Sequence, residues 1–138
     1  MRRQKTLRQR VEGRIARKTR DRVFLTREFL DLGGEDQVIR VLRGLVRDKR
    51  LMRLGYGVYA RAVVSGLTGK AVLLHPGGLS GAARDAMTKL GVDWSPTEAE
   101  KAYNERRSTQ LPVNPVLVVK GRFSRRLSDG NGDLVLEK

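Results

Sequence analysis

GGEDQVIRVLRGLVRDKRLMRLGYGVYA, running from Gly33 to Ala60, is the stretch on which the fold turns. Its glycine pair ends whatever precedes it. Glu35 or Asp36 then opens a helix, because negative charge suits the positive end of the helix dipole, and the helix extends to about Lys49. At about 100° per residue, Val38, Leu42 and Leu45 fall within one narrow arc, while Arg40, Arg43 and Arg47 gather on the opposite side. One face packs and the other meets an anion. Beyond it, Leu51-Met52-Arg53-Leu54 and Val58-Tyr59-Ala60 flank Gly55-Tyr56-Gly57, which predicts a β-hairpin around a glycine turn.

Upstream, Thr26 stands as N-cap of a helix through Arg27, Glu28, Phe29 and Leu30 that must stop at Gly33-Gly34. Val23-Phe24-Leu25 is a short apolar run before it. Leu7, Val11 and Ile15 recur every four positions among basic residues, as in an amphipathic helix from about Leu7 to Ala16. Helix, strand, helix, Gly turn, helix and hairpin is the element order of a winged helix-turn-helix. In that arrangement Arg40, Arg43 and Arg47 read bases, since Arg bonds guanine O6 and N7 in a bidentate way, and Gln37 is placed to read adenine. Thr26, Arg27, Arg53 and Tyr56 hold the DNA backbone, with Arg2, Arg3 and Lys5 as a phosphate-binding arm. Gly44, a poor helix former beside the arginines, permits close approach to a duplex.

Charge points the same way. The 138 residues include 29 Lys and Arg against 15 Asp and Glu, a formal net charge of +14. Such an excess is self-repelling unless a polyanion neutralises it, and nucleic acid is the usual one. Residues 1–66 carry 18 basic and seven acidic side chains, whereas residues 67–138 carry 11 and eight. The polyanion-seeking character therefore belongs to the first part. Apolar residues make up 39% of the chain, enough for a folded core rather than a disordered chain.

Downstream, Ala71 to Leu74 is an aliphatic segment between loops, and Gly81 to Leu90 fits a helix stopped by Gly91. Ser95-Pro96-Thr97-Glu98 predicts a helix capped by Ser95 that runs to about Arg107. Asn114 to Lys120, Arg122 to Leu127 and Leu134 to Glu137 predict strands of a small terminal sheet, the last following the Asp129-Gly130-Asn131-Gly132 turn. The whole is α+β: a winged helix-turn-helix over 1–66, with its basic arm, then a C-terminal α/β module over 67–138 with a terminal antiparallel sheet. That module is expected to serve protein interaction or dimerisation.

Catalytic patterns fail one by one. With no cysteine, the chain has no disulfide, thiol nucleophile or Cys-based metal site. Gly55-Tyr56-Gly57-Val58-Tyr59-Ala60 matches a dinucleotide fingerprint on paper, but strand-forming residues follow it where a helix is required. Gly66 to Lys70 has Val64 where a phosphate loop needs its first glycine and Ala71 where it needs Ser or Thr. Gly78-Leu79-Ser80-Gly81-Ala82 lacks the second glycine of a nucleophile elbow. His75 is the one histidine, and its immediate neighbours supply no acid to orient it, so a loop or core-edge position is expected rather than a general base. Glu98, Glu100 and Glu105 lie on a charged helix as surface neighbours. Arg122, Arg125 and Arg126 around Phe123 form a secondary basic patch. No enzyme, metal or cofactor is expected.

The N-terminus has no apolar stretch of a secretion signal, and the longest aliphatic runs fall far short of a bilayer span, which predicts a cytoplasmic protein without membrane contact. The chain also resembles the abortive-infection E type antitoxin family in its short winged-helix members. The resemblance is carried by Phe29, Gln37-Val38-Ile39-Arg40, Leu45-Val46-Arg47-Asp48-Lys49-Arg50-Leu51 and Gly55-Tyr56-Gly57-Val58-Tyr59-Ala60. Leu90-Gly91-Val92-Asp93-Trp94, Ala102-Tyr103-Asn104, Ser108-Thr109-Gln110, Pro112 and Arg125-Arg126 are similar to the C-terminal part of those members. The resemblance implies a winged-helix repressor of its own operon and a C-terminal part that opposes a nucleotidyltransferase-like toxin. Double-stranded DNA is thus the expected partner, with a toxin protein and a second copy of the chain beside it. The rival expectation is an interaction module whose C-terminal half binds the toxin, with only non-specific DNA affinity.

Overall fold

The computed structural model describes residues 4–96, 116–119, 127–129, 133 and 135–137. Helix α1 (Leu7–Arg17) opens on a reciprocal cap: the Gln9 N–H donates to Thr6 Oγ1 at 3.1 Å, and the Thr6 N–H donates to Gln9 Oε1 at 2.8 Å. Val11 is fully buried, with Leu7 and Ile15 packed beside it, as their spacing predicts. Strand β1 (Val23–Leu25) is buried throughout.

The helix expected after Thr26 is a single 3-10 turn, Thr26–Phe29, and Thr26 lies inside it rather than capping it. The run before Gly33-Gly34 is too short to repay α-helix nucleation. Instead the Glu28 carboxylate folds back to accept the Leu25 N–H at 2.7 Å, and the Thr26 N–H donates to the Gly57 carbonyl at 3.1 Å. Phe29 is thereby driven into the core. Helix α2 (Glu35–Arg47) follows with Glu35 and Asp36 in its first turn and Val38, Leu42 and Leu45 buried.

Strands β2 (Leu51–Gly55) and β3 (Val58–Val64) form the expected hairpin, turned by Tyr56 and Gly57. Gly57 has φ +69°, which a side chain would oppose. β3 is central, pairing antiparallel with β1, β2 and the short β4 (Ala71–Leu73). Helix α3 (Gly78–Leu90) ends at Gly91 as its sequence requires.

Two expectations about the C-terminal part are corrected. Ser95 and Pro96 do not start a helix but belong to strand β5 (Trp94–Pro96), paired with β6 (Val116–Val119); residues 97–107 lie outside the described set. The side-chain signal for a cap is local, and pairing with β6 outweighs it. The terminal sheet has the order β5-β6-β7, and its β7 (Val135–Glu137) runs parallel to β6, so the sheet is mixed rather than antiparallel. Residues 120–134 between them are long enough for the crossover that a parallel pair needs. An isolated antiparallel bridge joins Ser128 to Asp133, the residues that flank the predicted Asp129 to Gly132 turn. Of the expected strand Arg122 to Leu127 only Leu127 is described, and it is buried.

The alternation of side chains across the first sheet sorts the core into two layers. Phe24, Leu51 and Tyr59 face α1 and α2, where they join Val11, Phe29, Val38, Leu42 and Leu45. Val23, Leu25, Val58 and Ala60 face the other way, onto Leu79, Ala82, Ala83, Ala86 and Met87 of α3 and onto Leu117, Val119 and Leu127. The boundary placed after Gly66 falls in the β3–β4 connection, and side chains from both sides of it share this second cluster.

Candidate nucleic-acid interface

α2 is held so that its charged side is outermost. Arg8 of α1 donates to Glu12 at 2.9 Å and to Asp48, just past the end of α2, at 2.5 Å. These bonds raise the Arg8 guanidinium above its ordinary pKa, and the Arg8 bond holds the Asp48 carboxyl below the usual carboxylate range. Arg14 grips both Asp31 oxygens, at 2.5 and 2.7 Å, and that bond likewise raises Arg14 and lowers Asp31. Arg8 and Arg14 of α1 are thus spent on acids around it, whereas Arg10 and Arg17 are exposed with no side-chain bond among the described residues.

The three arginines of α2 are likewise unbound. Arg40, Arg43 and Arg47 are exposed, and none has a hydrogen bond or ion pair among the described residues. Gln37 is exposed too, at the edge of this face beside Gly33. Asp36 shares the arc of the three arginines at about 100° per residue, a neighbour that the same periodicity contains. Gly44 has Arg8 beside it, so a side chain there would meet α1's guanidinium at 3.5 Å.

Arg43 lines a groove between α2 and the hairpin with Ile39, Thr26, Arg27, Arg53, Tyr56 and Tyr59. The fold therefore brings Thr26, Arg27, Arg43, Arg53 and Tyr56 to one concavity from three separate segments. Tyr56 projects from the hairpin turn with 68% of its surface exposed. Arg53 lies along the hairpin and donates to the Gly55 carbonyl at 3.3 Å. Arg27 is engaged inward, donating to the Lys89 carbonyl at the end of α3. Lys5 is exposed, whereas Arg2, Arg3, Arg122, Arg125 and Arg126 lie outside the described residues.

A second charged cluster braces this groove from behind. Lys89 of α3 reaches Glu28 at 2.8 and 3.0 Å and Asp21 at 2.9 Å, with Lys18 on Glu28 at 3.0 Å. Burial pushes the Glu28 carboxyl up, but Lys89, the Leu25 N–H and Lys18 outweigh it and leave it below its ordinary value. Lys89 lowers Asp21 in the same way. Arg61 completes the frame, donating to the carbonyls of Ile15, Lys18 and Asp21 at 2.7 to 2.8 Å while lying over the Phe24 ring. Nothing in the local sequence singles out Lys89 or Arg61, because their partners lie tens of residues away.

His75 does have an acid. The fold brings Asp85 of α3 to its Nε2 at 2.8 Å, and its Nδ1 accepts the Gly77 N–H at 2.9 Å. This partner is ten positions away, beyond the immediate neighbours of His75. Both ring nitrogens are occupied, so the residue fastens the start of α3 and has no nitrogen left for a reacting proton. Among the described residues no group of His, Cys, Asp and Glu suits a metal ion, and no helix is long and apolar enough to cross a membrane.

The family described as Family of unknown function (DUF6088) matches residues 10–134, most of the chain, and the protein belongs to that family. No curated protein and no solved structure matches the chain.

Proposed function

We propose that this member of DUF6088 is a sequence-specific DNA-binding regulator of transcription that reads duplex DNA with α2. The observation that carries the reading is the arginine face of α2, exposed and without a hydrogen bond or ion pair among the described residues, set beside a hairpin groove. A helix so divided fits the major groove, where Arg pairs bidentately with guanine and also clamps phosphates. In this reading the 3-10 turn and α2 form the helix-turn-helix and the β2–β3 hairpin is the wing. Thr26, Arg53 and Tyr56 then follow the backbone, and Lys5 belongs to an arm with Arg2 and Arg3. Autorepression of antitoxin type rests on the family resemblance noted from the sequence.

The test is fluorescence anisotropy with the DNA upstream of the gene and with a scrambled duplex, each at two salt concentrations. The expected result is a preference of about 10³-fold for the upstream DNA, lost when Arg40, Arg43 and Arg47 are replaced by Ala. Equal, steeply salt-dependent binding to both duplexes overturns sequence-specific reading. One observation favours a second reading, an interaction module for a protein such as a toxin. Val63, Val64 and Leu67 are exposed on the β3–β4 hairpin, Leu67 at 97%. Co-purification of a neighbouring gene product that depends on Leu67 would support that reading.

A further inference from the structure

We infer that Asp36 selects a cytosine in the DNA site, so that the ridge of α2 specifies a G·C-rich half-site with one acidic end. The inference rests on the DNA-binding reading and deepens it. Asp36, Arg40, Arg43 and Arg47 follow at i, i+4, i+7 and i+11, which at about 100° per residue places all four within about 60° of arc. Like the arginines, Asp36 is exposed and has no hydrogen bond or ion pair among the described residues. The acids around α1 are treated differently: Glu12, Asp31 and Asp48 are each bound by an arginine.

An unpaired carboxylate on a polyanion-facing ridge is repelled by phosphate, so in a bound duplex it is favoured where it meets base edges rather than backbone. There it needs a donor. Cytosine N4 supplies one, guanine N7 and O6 and thymine O4 are acceptors that repel it, and the N6 donor of adenine sits beside the N7 acceptor. The three arginines have the opposite demand and take guanine. Stabilising the helix dipole does not require Asp36, because Glu35 is in the same first turn. With a rise of about 1.5 Å per residue, Asp36 and Arg40 are about 6 Å apart along the axis, roughly two base-pair steps, and the ridge covers about five.

The experiment is selection from a randomised duplex pool with the full chain, in parallel for the wild type, Asp36→Ala and Asp36→Asn. The wild type is expected to enrich a G·C-rich core containing one cytosine that is preferred about tenfold or more. In Asp36→Ala that single preference disappears while the guanine positions and the salt dependence stay. In Asp36→Asn it moves toward adenine, whose N6 and N7 suit an amide. If the wild type selects a site and both variants select the same one, the role of Asp36 is overturned while DNA reading stands. If the wild type selects no site, the DNA-reading proposal falls and this inference with it. The exposed position of Asp36 keeps both variants folded, which a thermal melt matching wild type verifies.

Discussion

At the scale of single residues, the chain separates cations that hold the fold from exposed cations with no bond among the described residues. Arg61 is the clearest of the first kind: one guanidinium satisfies three carbonyls at the end of α1 and beyond it. Carbonyls at a helix end have no partner within the helix, so removing Arg61 strands them in a half-buried place. Arg61→Ala should lower stability by about 2–3 kcal/mol, since bonds to a charged donor are among the stronger ones. Urea unfolding monitored by circular dichroism measures it, and an unchanged midpoint would show that water replaces the guanidinium. Arg43→Ala, by contrast, should leave the midpoint where it is, because Arg43 contacts no acid or carbonyl among the described residues. The periodicity of α2 made Arg43 legible as an exposed residue of its charged face; Arg61 was illegible, because its carbonyl partners lie about 40 positions away.

Among the elements, α3 shows how a weakly signalled helix is fixed by tertiary contacts. Its first turn has no side-chain cap, and His75 takes that place by accepting the Gly77 N–H while bonded to Asp85. The ring lies against Gly81 so closely that a Cβ there would fall 2.5 Å from His75 Cε1. Gly81→Ala must therefore push the ring aside and break both bonds. The expected cost is about 1–3 kcal/mol, the usual range for overpacking, despite the higher helix propensity of Ala. A rise in melting temperature on Gly81→Ala would mean that the ring moves freely. Hairpin β2–β3 and helix α2 were legible because their signals are local: a glycine turn, and an apolar arc. The start at Ser95 misled for the same reason, since its cap pattern is local while its pairing with β6 is not.

For the molecule as a whole, charge and core both cross the midpoint of the chain. The β-sheet face bearing Val23, Leu25, Val58 and Ala60 is covered by α3, so a chain ending at Gly66 exposes it. Such a truncated chain should lose cooperative unfolding, which near-ultraviolet circular dichroism would detect; a sharp transition would show that the first 66 residues suffice. The carboxyls of Asp21, Glu28, Asp31 and Asp48 are all lowered in the folded protein. Lowered groups release protons more readily when folded than when unfolded, so they stabilise above the ordinary carboxylate range and that stability is lost as pH falls through the folded values. Melting temperature should hold between about pH 7 and 5 and drop below about pH 4, and Glu28→Gln should make the drop shallower. A drop equally steep in Glu28→Gln would remove the Lys89 cluster as its source. The sequence by itself determined the cationic bias of the first 66 residues, the amphipathic division of α1 and α2, and the hairpin, because each depends on neighbours within a few positions. Only the tertiary structure decided that α3 closes the second face of the sheet, that β7 lies parallel to β6, and which cations are spent on acids. Those outcomes depend on contacts between residues far apart in the chain, which no local periodicity encodes.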